Sequence, residues 1–160
     1  MIMHNLKICH INARSIYASR CHNKLDELAV VASVHNFDIL CVTESWLNSN
    51  VDNSCIPLSG YSEPFRFDQN SHGGGIMAYM KRDLFCTHRR DLEQPGVEIM
   101  WLDFKLTHRK RLLIAVCYQP QIALLRIGSC FICVVLMQST TFWVMLRPPF
   151  FLLATLMIIL

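Results

Sequence analysis

Acidic residues run out early in this chain: all twelve lie at or before Asp103, and beyond Arg111 only Arg126 and Arg147 carry charge. A carboxylate-based catalytic or metal centre can therefore draw only on the first two-thirds. Other absences narrow the reading. Met1 to Arg14 has no continuous apolar core of signal-peptide length, so no secretory leader is expected there. The seven histidines form no His-x-x-x-His or similar cluster. Cys130-Phe131-Ile132-Cys133 lacks a second pair and a nearby His, which argues against zinc. No Lys-Ser or Lys-Thr follows Gly73-Gly74-Gly75, so a turn admitting the next strand is expected there rather than a nucleotide phosphate loop. No internal repeat stands out.

What is present describes an ordinary domain for most of the length. A chain of 160 residues can bury one core. The net charge of +3 is only a weak pull towards an anionic partner. Eight cysteines are scattered, with Cys9, Cys41 and Cys117 inside apolar runs where a free thiol acts as a small hydrophobe. A reducing intracellular compartment, nuclear or cytoplasmic, is the expectation.

Leu6 to Asn12 reads as a strand. His22 to His35 places Leu25, Leu28, Ala29 and Ala32 at helical spacing, with Asn23 as N-cap, Asp26 and Glu27 in the first turn, and Asn36 as the stop. Phe37 to Val42 is too uniformly apolar for a wet face and suits the interior of a layered α/β domain. Asn48 to Gly60 is a loop, Tyr61 to Phe67 a strand, and Ile76 to Met80 another. Val97 to Leu106 and Arg111 to Tyr118 form a hairpin across Thr107-His108-Arg109-Lys110. The order predicts a mixed, mainly antiparallel sheet with an outer helix, not a doubly wound parallel one.

Three strand ends carry the chemistry. Glu44, in Thr43-Glu44-Ser45-Trp46-Leu47, sits at the mouth of the Asp38–Val42 run, where a carboxylate is costly unless something positive meets it. Asn12 ends the first strand and Tyr118 the last. Strands that stop at one sheet edge would bring Asn12, Glu44 and Tyr118 together. Singly, each has a plain structural reading: a solvated strand end, a turn cap, a core ring with a wet tip. The basic runs His88-Arg89-Arg90 and His108-Arg109-Lys110-Arg111 read as solvated turns before DNA contacts. Trp46 suits base stacking and burial equally.

In order and spacing, these pieces resemble the first half of an endonuclease/exonuclease/phosphatase domain. Within that superfamily they are most similar to the apurinic-type endonuclease domain of non-LTR (LINE-like) retrotransposon proteins. The resemblance rests on Asn12-Ala13-Arg14, Asn23-Lys24-Leu25-Asp26-Glu27-Leu28 and Asp38-Ile39-Leu40 leading to Thr43-Glu44-Ser45-Trp46-Leu47. It continues through Gly60-Tyr61, Arg66 and Asp68 before Gly73-Gly74-Gly75-Ile76, then Val116-Cys117-Tyr118 and Pro120. It covers about three-quarters of the chain. It implies a truncated half of a four-layer α/β sandwich over residues 1–120, and Mg²⁺-dependent (or Mn²⁺-dependent) cleavage of DNA phosphodiesters without a small-molecule cofactor. Glu44 matches the family's metal-binding carboxylate, Asn12 the amide beside that metal, and Tyr118 the active-site tyrosine that donates to a phosphate oxygen.

The family's second half is missing here. It supplies an Asp-x-Asn, a further Asp and a terminal Ser-Asp-His, and none follows Tyr118. Asp68-Gln69-Asn70 has the first spacing and Leu102-Asp103-Phe104-Lys105 echoes it, but both precede Tyr118. A retrotransposon-derived fragment with little or no nuclease activity is the expectation, with weak metal binding at most. Residues 121–160 form an apolar tail outside the family. The twenty uncharged residues Ile127–Leu146 are long enough to span a bilayer, so a non-enzymatic, tail-anchored membrane protein is the alternative. Gln138, Ser139, Thr140 and Thr141 weaken that account, and loss of reading frame after Pro120 is preferred. The first two-thirds is expected to form mostly one sheet with an uncovered inner face, on which the tail packs as substitute core.

Overall fold

The computed structural model describes residues 6–16, 24–69, 73–105, 111–119, 129–137, 141–146 and 154–158; from Gln119 onward only backbone and pairing are described. Ten strands and one α-helix follow in order: β1 (Leu6–Asn12), α1 (Lys24–His35), β2 (Ile39–Thr43), β3 (Phe65–Phe67), β4 (Ile76–Met80) and β5 (Cys86–His88). Then come β6 (Ile99–Lys105), β7 (Arg111–Gln119), β8 (Ser129–Met137), β9 (Thr141–Leu146) and β10 (Ala154–Ile158).

The strands form two sheets. The first runs β10-β1-β2-β4-β3, with β1 and β2 parallel and every other pair antiparallel. The second, β5-β6-β7-β8-β9, is an antiparallel meander in chain order. The mixed, mostly stranded α/β character agrees with the sequence expectation; the single sheet does not. Period-two alternation explains the second one. Met100, Leu102 and Phe104 on β6 share a face with Leu112, Ile114 and Val116 on β7, and all are buried. That face packs on Leu6, Ile8, Ile39, Cys41, Ile76, Ala78 and Met80 of the first sheet in one core cluster. The inner face expected to lie open is therefore covered by the chain's own meander, each large buried side chain contributing about 1.5–3 kcal/mol.

The first sheet's other face, with Cys9, Leu40, Val42, Met77 and Tyr79, lies under α1 and the loop residues Phe37, Leu47, Ile56, Leu58 and Tyr61. Helix, sheet and sheet are the layers described. In α1, Leu25, Leu28 and Ala32 point inward as the spacing predicts, whereas Ala29 is exposed. Asn36, at φ +52°, ends the helix in the left-handed conformation that asparagine tolerates. The expected cap Asn23 lies outside the described residues, as does the Thr107–Lys110 turn. Of the strand expected over Tyr61–Phe67 only Phe65–Phe67 forms. Pro64, which lacks an N–H for the ladder, precedes it, and Tyr61 makes a single bridge to Lys81.

The described strands of the tail join sheet edges. β8 pairs with β7 from Arg111↔Met137 to Gln119↔Ser129, β9 adds to β8, and β10 adds antiparallel to β1. The expected substitute core is thus an extension of both sheets at their edges. No helix among the described residues is long and apolar enough to cross a membrane.

Candidate functional site

β2 ends at Thr43, and the next residues stay threaded between two neighbours. Ala13, Ser15 and Ile16 donate backbone N–H groups to the carbonyls of Thr43, Glu44 and Ser45 at 2.8–3.0 Å, while Ser45 and Trp46 donate to Gly75 and Gly74 at 3.1 and 3.0 Å. This double clamp holds a strained path. Among the described residues, four of the five non-glycine residues with positive φ are Arg14, Ser15, Glu44 and Trp46. Each costs on the order of 1 kcal/mol, so the strain is concentrated where Glu44 is presented.

The Glu44 carboxylate is held from three directions. Oε2 accepts from Trp46 Nε1 at 2.5 Å and from the Gly74 N–H at 3.0 Å. Oε1 accepts from the Tyr118 hydroxyl. Tyr118 arrives on β7, so this bond joins the ends of the two sheets. Its own N–H donates to the Glu98 carbonyl at 3.0 Å. Two of the three strand-end residues thus meet. Asn12 does not join them by its side chain. It pairs with Thr43 in register, one residue from Glu44, but is exposed, and its Oδ1 accepts the Arg14 N–H at 3.3 Å. An Asx turn within its own loop uses that oxygen.

Sequence reasoning missed Glu98. Its side chain enters the same region, is only 6% exposed, and accepts the Gly75 N–H through Oε1. Oε2 is buried with no hydrogen-bond partner among the described residues. Burial, with the neighbouring Glu44 charge adding, raises its pKa to about 7 against the opposing pull of the Gly75 N–H. The available signal was position: Glu98 stands directly before the apolar run of β6, as Glu44 stands directly behind that of β2. Gly74 and Gly75, both at positive φ, lead directly into β4. The Gly74 and Gly75 N–H groups aim at carboxylates.

The other carboxylates singled out from sequence have different partners. Asp68 is paired with Arg66, whose remaining donors fix the Asn48–Asn53 loop through Asn48 O, Val51 O and Asn53 Oδ1. Asp103 is buried between Arg89 and Arg111. Arg89 also holds Asp91, and His88 meets Glu93 at 2.5 Å, so this basic run is tied to its own acids. Trp46 is half-buried and its indole N–H is committed to Glu44.

The donor set suits a hard cation. Oxygen ligands are what Mg²⁺ and Mn²⁺ select, and Glu98 Oε2 is a buried acceptor lacking a donor. Groups of three or more His, Cys, Asp or Glu able to hold a metal are absent among the described residues. Ser45 Oγ is likewise buried and unpartnered among the described residues. Ser45→Ala should therefore be neutral or stabilise by up to about 1 kcal/mol, because it removes a desolvated hydroxyl without opening space for more than one atom. Urea denaturation checks this; a loss above that size would show that the hydroxyl has a partner. By sequence, the chain matches no protein-family model and no curated protein.

Proposed function

We propose that this chain carries the metal-binding half of a phosphodiesterase site of the endonuclease/exonuclease/phosphatase type, derived from a retrotransposon endonuclease domain and with little or no hydrolysis of its own. The observation that supports it most is the Tyr118 hydroxyl on Glu44, which joins two strand ends from different sheets, both of them residues that the family resemblance assigns to the site. DNA is the partner this reading implies, through its phosphates. The full four-layer sandwich belongs to the same reading, with the helix and two facing sheets as its first three layers.

Bound Mg²⁺ or Mn²⁺ would supply Lewis-acid polarisation of a phosphate oxygen. Glu44 would hold the ion, and its bonds to Trp46 and Gly74 fix which lone pairs remain open. Tyr118, whose hydroxyl rests on Glu44, would donate to a phosphate oxygen. On this reading Asn12, exposed beside Thr43, would contribute a neutral amide to the ligand once released from its turn. Nothing in the sequence after Tyr118 is acidic, and Asp68 and Asp103, the two carboxylates with a spacing like the missing motif, are committed to arginines, so neither is free to orient a water.

Supercoiled plasmid incubated with the purified chain and Mg²⁺ should show no nicking above a Glu44→Ala control. Calorimetry should find weak Mg²⁺ or Mn²⁺ binding that Glu44→Gln abolishes. Robust nicking lost in Glu44→Ala would overturn the inactive reading, and binding indifferent to Glu44→Gln would overturn the metal assignment.

A further inference from the structure

Resting on that reading, we propose that Glu98 is a second carboxylate ligand, and that Glu44 and Glu98 together form a divalent-cation site roofing Gly74. The two carboxylates accept the N–H groups of consecutive residues, Gly74 and Gly75. Neither forms a salt bridge with a basic side chain among the described residues, although Arg66, Arg89 and Arg111 are each paired with an aspartate. Two like charges brought together without a cation are costly, and more so for Glu98, which is 6% exposed.

The space above Gly74 adds an independent indication. A Cβ on Gly74 would stand 3.0 Å from Glu98 Oε2 and closer still to Gln69 Oε1. The glycine, at φ +73°, lets the Gln69 amide and the Glu98 carboxylate close on this position. Glu98 Oε2 faces into it with no donor among the described residues. Oxygen donors drawn from two carboxylates, Glu44 and Glu98, would fit a small hard divalent ion better than a monovalent one or a soft metal. The competing reading is a proton on Glu98 shared with the Gln69 carbonyl, which would need no ion.

Mn²⁺ is the probe, because free and bound ion are distinguished directly by electron paramagnetic resonance. The full chain is titrated with Mn²⁺ at pH 8 beside Glu44→Gln, Glu98→Gln and the conservative Glu98→Asp, with thermal melts confirming that each is folded. The parent should bind one Mn²⁺. Glu44→Gln and Glu98→Gln should each weaken it by at least about tenfold, with Glu98→Asp intermediate, because site charge sets affinity. Unchanged affinity in Glu98→Gln with a loss in Glu44→Gln would overturn the inference while leaving the proposed metal ligand Glu44 in place. A parent that binds no Mn²⁺ would overturn both.

Discussion

Gly75→Ala should lower the unfolding free energy by about 3 kcal/mol, while Gly73→Ala two residues earlier should change it by less than about 0.5 kcal/mol. Gly75 lies at φ +86°, where an L side chain is strained, and a Cβ there would stand well inside van der Waals contact with Ser45 Oγ. Gly60 separates the two contributions. It has φ +85° but nothing within 4 Å of its Cβ position, so Gly60→Ala should lose only the backbone term, about 1 kcal/mol. The remainder at Gly75 is overpacking. Ser45 cannot retreat easily, since its N–H is bonded to the Gly75 carbonyl and its carbonyl to the Ile16 N–H. Denaturant curves for the three variants should rank Gly73, Gly60, Gly75 in increasing cost. Equal losses at Gly60 and Gly75 would show that the Ser45 contact gives way freely. The damage should also reach the site, because the Gly75 N–H is the donor to Glu98.

The sequence made some of this legible and concealed the rest for identifiable reasons. Glu44 and Tyr118 stood out because each follows an apolar run, and the strand ends do bring them into contact. Asn12 was found by the same logic. Its main chain lies where expected, but a local turn competes for its side chain, and such local bonds are invisible to strand-end reasoning. Glu98 was absorbed into the predicted strand, since a charged residue at a strand start is ordinarily solvated. The two-sheet arrangement was hidden for a different reason. Alternation in Met100–Phe104 and Leu112–Val116 declares a one-sided strand but not which sheet it joins. Only the register between β6 and β7, and the match of their face to Ile8, Ile39 and Ile76, decides that. For Ile127–Leu146, a long uncharged run gives no period with which to choose between a span and buried strands, and β8 and β9 are strands.

His10→Gln and Glu98→Gln should tilt the pH profile of stability in opposite directions. His10 on β1 is 5% exposed, with Nε2 3.1 Å from Thr43 Oγ1, and burial lowers its pKa from 6.5 to about 4. The unfolded chain takes up that proton as the pH falls below 6.5, whereas the folded chain refuses it until about 4. Stability contributed by the neutral ring is therefore present above 6.5 and lost on acidification, by about 3 kcal/mol. Glu98 behaves conversely. Its pKa rises from 4.5 to about 7, so the folded chain keeps a proton that the unfolded chain has released. Its contribution is intact below 4.5 and lost as the pH rises through 7, again by about 3 kcal/mol. The windows overlap, so in the parent the two slopes offset each other and metal-free stability should be nearly flat from pH 4.5 to 7. Glu98→Gln is neutral throughout and leaves only the His10 slope, so that variant should gain stability with rising pH. His10→Gln leaves only the Glu98 slope and should lose it. The double variant should be flat once more. Urea midpoints across this range, in chelator, measure all four. Parallel profiles for parent and single variants would mean that these groups titrate as freely in the fold as in the unfolded chain. With the proposed site, adding Mn²⁺ should flatten the falling profile of His10→Gln, because a bound ion would replace the proton that burial otherwise holds on Glu98.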